Sequence, residues 1–75
     1  MSPLLGSGKD KTEEMEKLKA VALASKSSEI RKQTIDSLEA YGQPAIPAIT
    51  AIVADSADDE VKTYGLNTIK KLRSK

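Results

Sequence analysis

Hydrophobic residues recur along the chain at helical spacing, and the pattern repeats once after 31 positions. Six apolar positions in the first part of the chain have an apolar partner 31 positions later. The pairs are Met15 and Ile46, Leu18 and Ile49, Val21 and Ile52, Ile30 and Val61, Ile35 and Leu66, and Leu38 and Ile69. A fixed period of this kind is typical of stacked helix pairs, since one pair cannot bury its apolar face alone. Residues 14–44 and 45–75 are therefore predicted to be two copies of one helical unit.

The first predicted helix covers about residues 11–26. Apolar residues at the spacing of one helix side form its expected buried face, and these are Met15, Leu18, Val21 and Ala22. Residues 1–10 contain one proline and two glycines and show no helical periodicity. They are predicted to be a flexible lead-in to the folded domain.

Capping residues set the predicted limits of the second helix. Ser27 or Ser28 precedes its first turn, and a serine hydroxyl can accept hydrogen bonds from the free backbone N–H groups there. Gly42 follows its last turn, where a residue in a left-handed conformation commonly ends a helix. The expected buried arc of this helix comprises Ile30, Ile35, Leu38 and Tyr41.

The second unit repeats this arrangement with a shorter first helix. Pro44 and Pro47 flank the start of the third helix, where a missing N–H costs little, and this helix is expected to end near Ala54. Asp58 opens the fourth helix. Gly65 inside it costs about 1 kcal/mol relative to alanine, so a neighbouring helix is expected to approach closely there. The expected buried arc of the fourth helix comprises Val61, Leu66, Ile69 and Leu72.

The segment from Ser28 to Ile49 resembles a HEAT repeat, of the shorter variety first noted in phycobilisome lyases. The residues that carry the resemblance are Glu29-Ile30-Arg31 at the start of one helix, Leu38 and Gly42 at its end, and Ala45-Ile46-Pro47-Ala48-Ile49 at the start of the next. The resemblance covers roughly residues 12–73. It implies an all-α fold, a short right-handed α-solenoid of about four helices, built from HEAT-like helical hairpins over residues 11–75.

Members of that family mostly act as scaffolds that bind other proteins. The 31-residue period is shorter than the roughly 40–47 residues of typical HEAT units. The last unit also lacks its second helix, so the array is expected to be truncated.

The composition narrows the chemistry that this domain can perform. Its 75 residues include no cysteine and no histidine, which removes disulfides, the usual zinc sites, thiol nucleophiles and the commonest general base. We therefore expect no enzymatic activity, no cofactor and no metal. With 12 basic and 11 acidic residues, the chain as a whole has no strong attraction for nucleic acid or a membrane surface. No apolar run reaches the length of a membrane span and no secretory signal is evident, so a cytoplasmic location is expected.

The first and third helices carry a strip of small residues opposite their core-facing sides. Its members are Ala20, Leu23, Ala24, Pro47, Thr50, Ala51 and Ala54. In HEAT-like arrays the second helix of each pair lines the concave surface, so the resemblance implies that this strip faces a ligand. The leading hypothesis is a minimal scaffold or adaptor that binds another protein there, or that associates, including with itself, through the open ends of the array. Ordinary helix packing, or cover from Leu4 and Leu5, is the alternative explanation of the strip.

A basic cluster on the fourth helix supports a second hypothesis, a nucleic-acid-associated protein. The cluster comprises Lys62, Lys70, Lys71, Arg73 and Lys75, which together can contact a phosphate backbone. The plainer interpretation is that basic residues complement the negative end of the helix dipole. Nucleic acid is the less favoured partner, because only Tyr64 provides a stacking aromatic ring nearby.

Two further motifs fit simpler explanations than ligand binding. Gly6-Ser7-Gly8-Lys9 lacks the first glycine, the final hydroxyl and the preceding strand of a phosphate loop. The acidic stretch from Asp55 to Glu60 lacks the ligand order and central glycine of a calcium loop, so helix capping is expected there. Carboxylates one turn apart, such as Glu13 and Glu16, are expected to be solvated rather than to act as an acid and base pair.

Overall fold

The computed structural model describes the backbone of residues 2–74 and the side chains of residues 11–74. Its elements are α1 (Ser2–Ala24), α2 (Ser28–Glu39), a 3₁₀ turn (Gln43–Ala45), α3 (Ile46–Asp55) and α4 (Asp59–Arg73). No strand is present between residues 2 and 74. The prediction of an all-α fold with about four helices is confirmed.

Helix α1 begins earlier than the sequence pattern predicted, at Ser2 rather than near Lys11. Pro3 lies in its first turn, where a residue without an N–H group is readily accommodated. The side chains of residues 1–10, and Met1 as a whole, lie outside the described residues. The flexible lead-in therefore stays a prediction, and so does any cover that residues 4 and 5 give to the strip.

The later helices begin at the capping residues expected from the sequence. Ser27 is the N-cap of α2, and its hydroxyl accepts a hydrogen bond from the Ile30 N–H at 3.3 Å. Asp58 is the N-cap of α4, and its carboxylate accepts from the Glu60 N–H at 2.8 Å. Gly42 has a φ of +81°, which residues with a side chain rarely adopt, and it turns the chain from α2 toward α3.

The four helices form two layers. Helices α1 and α3 lie side by side in one layer, and α2 and α4 lie side by side in the other. Each of the two units contributes one helix to each layer, because α1 also packs on α2 and α3 also packs on α4. This arrangement places corresponding helices of the two units next to each other.

Aliphatic side chains fill the space between the two layers. The largest fully buried ones are Ile35, Leu38, Ile49, Ile52, Val61 and Leu72. Buried alanines complete the core, and these are Ala22, Ala45 and Ala48. Complete burial of each large aliphatic side chain stabilises the fold by roughly 1.5–3 kcal/mol.

Three residues that were expected in the core are exposed, and those predictions were wrong. Val21, Ile30 and Leu66 have 55%, 40% and 52% of their surface exposed. In α1 the residue after Val21, Ala22, occupies the buried position instead. Ile30 and Leu66 lie at the exposed edges of the apolar arcs of α2 and α4.

Gly65 allows α3 and α4 to approach closely, as the sequence predicted. A Cβ atom at this position would lie 2.3 Å from Cγ2 of Val53 on α3. The corresponding positions of the first unit are Thr34 and Ala22, which are both buried. In the first unit the larger residue, Thr34, lies on α2 and the small one, Ala22, lies on α1. In the second unit the larger residue, Val53, lies on α3 and the small one, Gly65, lies on α4.

Candidate functional site

The strip of small residues lies on the outer side of the layer formed by α1 and α3. Five of its members are exposed, namely Ala20, Ala24, Pro47, Thr50 and Ala54. Leu23 and Ala51 are half-buried. Because residues 20 and 51 correspond in the two units, as do 23 and 54, the strip follows the same side of two neighbouring helices.

Short side chains determine what this surface can do. Thr50 donates its hydroxyl to the Ile46 carbonyl of its own helix at 2.8 Å, so even the one hydroxyl of the strip is already bonded within α3. The other members are alanine, leucine and proline. The strip therefore provides van der Waals contact at close range rather than acid, base or ligand chemistry.

Arg31 of α2 lies at the loop end of the strip and is almost completely buried, with 5% of its surface exposed. Its Nε donates to the carbonyls of Ala22 and Ser25 at 2.9 and 3.0 Å. Its Nη1 donates to Ser56 Oγ at 2.9 Å, and its Nη2 forms an ion pair with Asp55 Oδ2 at 2.9 Å. One guanidinium thus connects α2 to the ends of both α1 and α3.

These contacts give Arg31 the role of a shared C-terminal cap. The last turns of α1 and α3 contain no basic residue of their own, and their carbonyl groups lack intrahelical partners. The sequence analysis missed this role. The available signal was the position of Arg31 four residues before Ile35 and seven before Leu38, on the buried side of α2.

A cleft of about 280 Å³ lies beside Arg31, between the ends of the helices. Lys26, Asp55 and Asp58 are among the residues that line it. Within residues 11–74, every buried side-chain nitrogen or oxygen has a hydrogen-bond partner. The buried polar groups beside the cleft therefore stabilise the helix ends, and none of these buried groups is left unpaired to select a ligand.

Asp58 forms a hydrogen bond between the two units. The Ser28 hydroxyl donates to its carboxylate, and this bond is the main cause that holds the pKa of Asp58 below its ordinary value. The backbone N–H of Glu60 lowers it further. A carboxyl group whose pKa is lower in the folded state stabilises the fold above its ordinary pKa. That contribution is lost as the pH falls below about 4.

Replacing Asp58 by asparagine is expected to make the stability less sensitive to acid. Asparagine still caps a helix, but it carries no charge that acid can remove. We expect the Tm of Asp58→Asn to fall less than that of the wild type between about pH 6 and about pH 2.5, measured by circular dichroism. Ser28→Ala, which removes the main cause of the shift, should change the pH dependence in the same direction. Equally steep acid profiles for the wild type and both variants would contradict this assignment.

The basic cluster lies along α4. Lys70, Lys71 and Arg73 are exposed in its last turn, where positive charge complements the helix dipole. Lys62 is half-buried two turns earlier. Lys75 lies outside the described residues, so the structure brings together at most four of the five predicted basic residues.

The other motifs have structural roles where the structure describes them. Asp55 pairs with Arg31 and Asp58 caps α4, and residues 11–74 contain no group of three side chains placed to hold a metal ion. The side chains of Gly6-Ser7-Gly8-Lys9 lie outside the described residues. No helix in the described part of the chain has the length and apolar character needed to cross a membrane. The cytoplasmic location stays a prediction.

Comparisons with protein-family models, with curated proteins and with solved structures gave no match to this chain. The resemblance to HEAT-like repeats therefore stays a prediction.

Proposed function

We propose that this chain is a non-enzymatic protein-interaction module. It is a short right-handed α-solenoid of HEAT-like hairpins that binds a helix of another protein along the strip on α1 and α3. The observation that supports this proposal is the continuation of small, exposed side chains across two neighbouring helices. The opposite sides of these helices supply the buried residues Ala22, Ala48, Ile49 and Ile52.

The chemistry of the strip favours a helical partner. Helix axes can approach to about 8–10 Å when the side chains between them are short. Alanine also loses no rotamer freedom on binding, so the ordering cost falls mainly on the partner. A partner helix with larger apolar side chains on one side would supply the buried area that the strip itself lacks.

A matched pair of double variants tests this use of the strip. Ala20→Glu with Ala54→Glu places two charges on exposed positions of the strip. These charges should reduce capture of the partner from a lysate of the source cell by roughly tenfold or more, because burial of even one unpaired charge costs at least about 1.4 kcal/mol. Capture is quantified by mass spectrometry after nuclease treatment and at two salt concentrations.

The control carries the same substitutions outside the strip. Ala40→Glu with Ala57→Glu also adds two negative charges at exposed alanines, and it should capture the partner as the wild type does. Equal capture by both double variants would reject the strip as the binding surface. Capture that disappears with nuclease or high salt would instead favour the basic cluster and nucleic acid.

A further inference from the structure

Three large apolar side chains are exposed in the described part of the chain, and each has a buried counterpart in the other unit. The exposed residues are Val21, Ile30 and Leu66, and their counterparts 31 positions away are Ile52, Val61 and Ile35. Within each pair the residue type and the helical position are similar. For Ile30 and Leu66 we infer that the difference in burial depends on whether another helix pair lies against that side, whereas Val21 is exposed because the adjacent Ala22 occupies the buried position of α1.

The contact between α2 and α4 shows how such positions are covered inside the molecule. Ile35 of α2 reaches α4 beside Gly65, where its Cδ1 lies 3.4 Å from the position of a Cβ atom. Val61 lies one turn before Gly65 and lines the same cleft as Ser28 and Arg31 of α2. Thus Ile35 of α2 packs against the side of α4 that contains Val61 and Gly65.

The residues of this contact have counterparts at two exposed positions, Leu66 of α4 and Ile30 of α2. Leu66 lies 31 positions after Ile35, so it occupies on α4 the position that Ile35 occupies on α2. Likewise, α2 carries the exposed Ile30 and the buried Thr34 where α4 carries Val61 and Gly65. Leu66 lines a groove of about 360 Å³ together with Thr63, Asn67, Ile69, Lys70 and Arg73.

We propose that the Leu66 side of α4 binds the Ile30 side of α2 in a second copy of this chain. The contact is head to tail and repeats between copies the packing that joins the two units within one copy. It would cover Leu66 of one copy and Ile30 of the next, with Val21 at the edge of the same interface. A head-to-tail contact between unlike surfaces extends into a chain of copies unless the rotation closes a ring.

Polar residues beside the apolar contact fit the same register. Within one copy, Lys32 pairs with Glu60 at 2.7 Å, and the Tyr64 hydroxyl donates to Asp36. The corresponding pairs between copies are Thr63 with Glu29, and Asn67 with Gln33. A hydroxyl can donate to a carboxylate and two amides can bond to each other, so neither pair opposes the contact.

The ion pair between Arg31 and Asp55 has no counterpart between copies, so we expect the contact between copies to be weaker than the internal one. Lys62 takes the place of Arg31, and Ala24 of the next copy takes the place of Asp55, so the ion pair is not repeated. Lys26 of the next copy also comes near Lys62. Added salt, which screens this repulsion, should therefore strengthen the association rather than weaken it.

Two single variants, each defective at one side, test the proposal. Leu66→Glu blocks the α4 side and Ile30→Glu blocks the α2 side, both at exposed positions where glutamate is compatible with a helix. The mass of the wild type, 8.1 kDa as a monomer, should rise with concentration between about 10 μM and about 1 mM in sedimentation equilibrium. Each variant alone should remain monomeric. Their equimolar mixture should form a dimer and stop there, since Leu66 of one variant can still bind Ile30 of the other.

Several outcomes would overturn the proposal. A wild type that remains monomeric at about 1 mM excludes it. Association of Ile30→Glu by itself would indicate a symmetric contact between two Leu66 sides instead. Because the chain has no cysteine, Leu66→Cys and Ile30→Cys give an independent test that does not depend on the glutamate variants. A disulfide that forms faster in their mixture than in either variant alone supports the register, and equal rates reject it.

This inference deepens the proposed function by naming one partner, but it uses a different surface. The strip variant Ala20→Glu with Ala54→Glu should self-associate as the wild type does. Loss of partner capture in that variant without any change in its mass would show that the two surfaces act separately, so either proposal can fail while the other holds.

Discussion

Replacing Arg31 by methionine is expected to lower the free energy of unfolding by about 3 kcal/mol. Methionine keeps an unbranched stem but leaves the carbonyls of Ala22 and Ser25 without the donor they now have. A polar group that is buried without a partner accounts for most of this cost, whereas Asp55 is half exposed and can return to water. A 75-residue domain has a total stability of roughly 4–11 kcal/mol, so the substitution should remove a large fraction of it. Urea unfolding followed by far-UV circular dichroism measures the change.

Lysine at position 31 is the matched variant, because the second unit carries Lys62 at the corresponding position. An ammonium group can remain near Asp55, but it lacks the planar fork that donates to several helices at once, so Arg31→Lys should be intermediate. Lys32→Met breaks the neighbouring exposed pair with Glu60 and should change the stability far less. A methionine variant as stable as the wild type would mean that water satisfies the helix ends, and Arg31 would not be their cap.

Three helix limits, the two ends of α2 and the start of α4, were predictable because short-range chemistry sets them. Ser27 and Asp58 each bond to a backbone N–H within three residues, and Gly42 adopts the positive φ that a side chain would oppose. These features are visible in the sequence without knowledge of the fold. The start of α1 was missed because Gly6 and Gly8 weaken a helical pattern without preventing a helical backbone.

Burial was less predictable, because periodicity identifies one side of a helix but not what packs against it. Ile30 and Ile35 belong to the same wide arc of α2, yet only Ile35 has α4 against it. In α1, Val21 and Ala22 are adjacent, and the smaller residue occupies the buried position. Which of these two residues is buried depends on the distance between α1 and its neighbouring helices rather than on the hydrophobicity of either residue.

The position of the strip was predictable, whereas the role of Arg31 was not. The strip follows from helical spacing and from the repeat, which together place corresponding residues on neighbouring helices. The partners of Arg31 include backbone carbonyls, which every residue type provides. Asp55 and Ser56 are 24 and 25 positions away, and they meet the guanidinium only when the helices of the two units stack.

Replacing Gly65 by alanine is expected to destabilise the protein by about 1–2 kcal/mol, although alanine is the better helix former by about 1 kcal/mol. The new Cβ atom would lie 2.3 Å from Cγ2 of Val53. Valine in a helix has one strongly preferred rotamer, so relief of this clash requires movement of α3 or α4. The other close neighbours, Ile35 and Ile49, lie at ordinary contact distances of 3.4 and 3.6 Å. Urea unfolding of the variant and the wild type measures the difference.

A double variant separates the clash from the loss of the glycine. Val53→Ala alone should cost about 1 kcal/mol, because it removes half-buried methyl groups. Combined with Gly65→Ala, it also removes the clash, so the double variant should be more stable than the sum of the single effects predicts by about 2 kcal/mol. Gly42→Ala is the matched control, since its positive φ opposes a side chain whatever residue is at position 53, and its effect should add to that of Val53→Ala. Additivity at both glycines would mean that α3 and α4 already have room for a methyl group. Coupling at Gly65 alone would show that the small and large residues of each unit set the distance between its two helices.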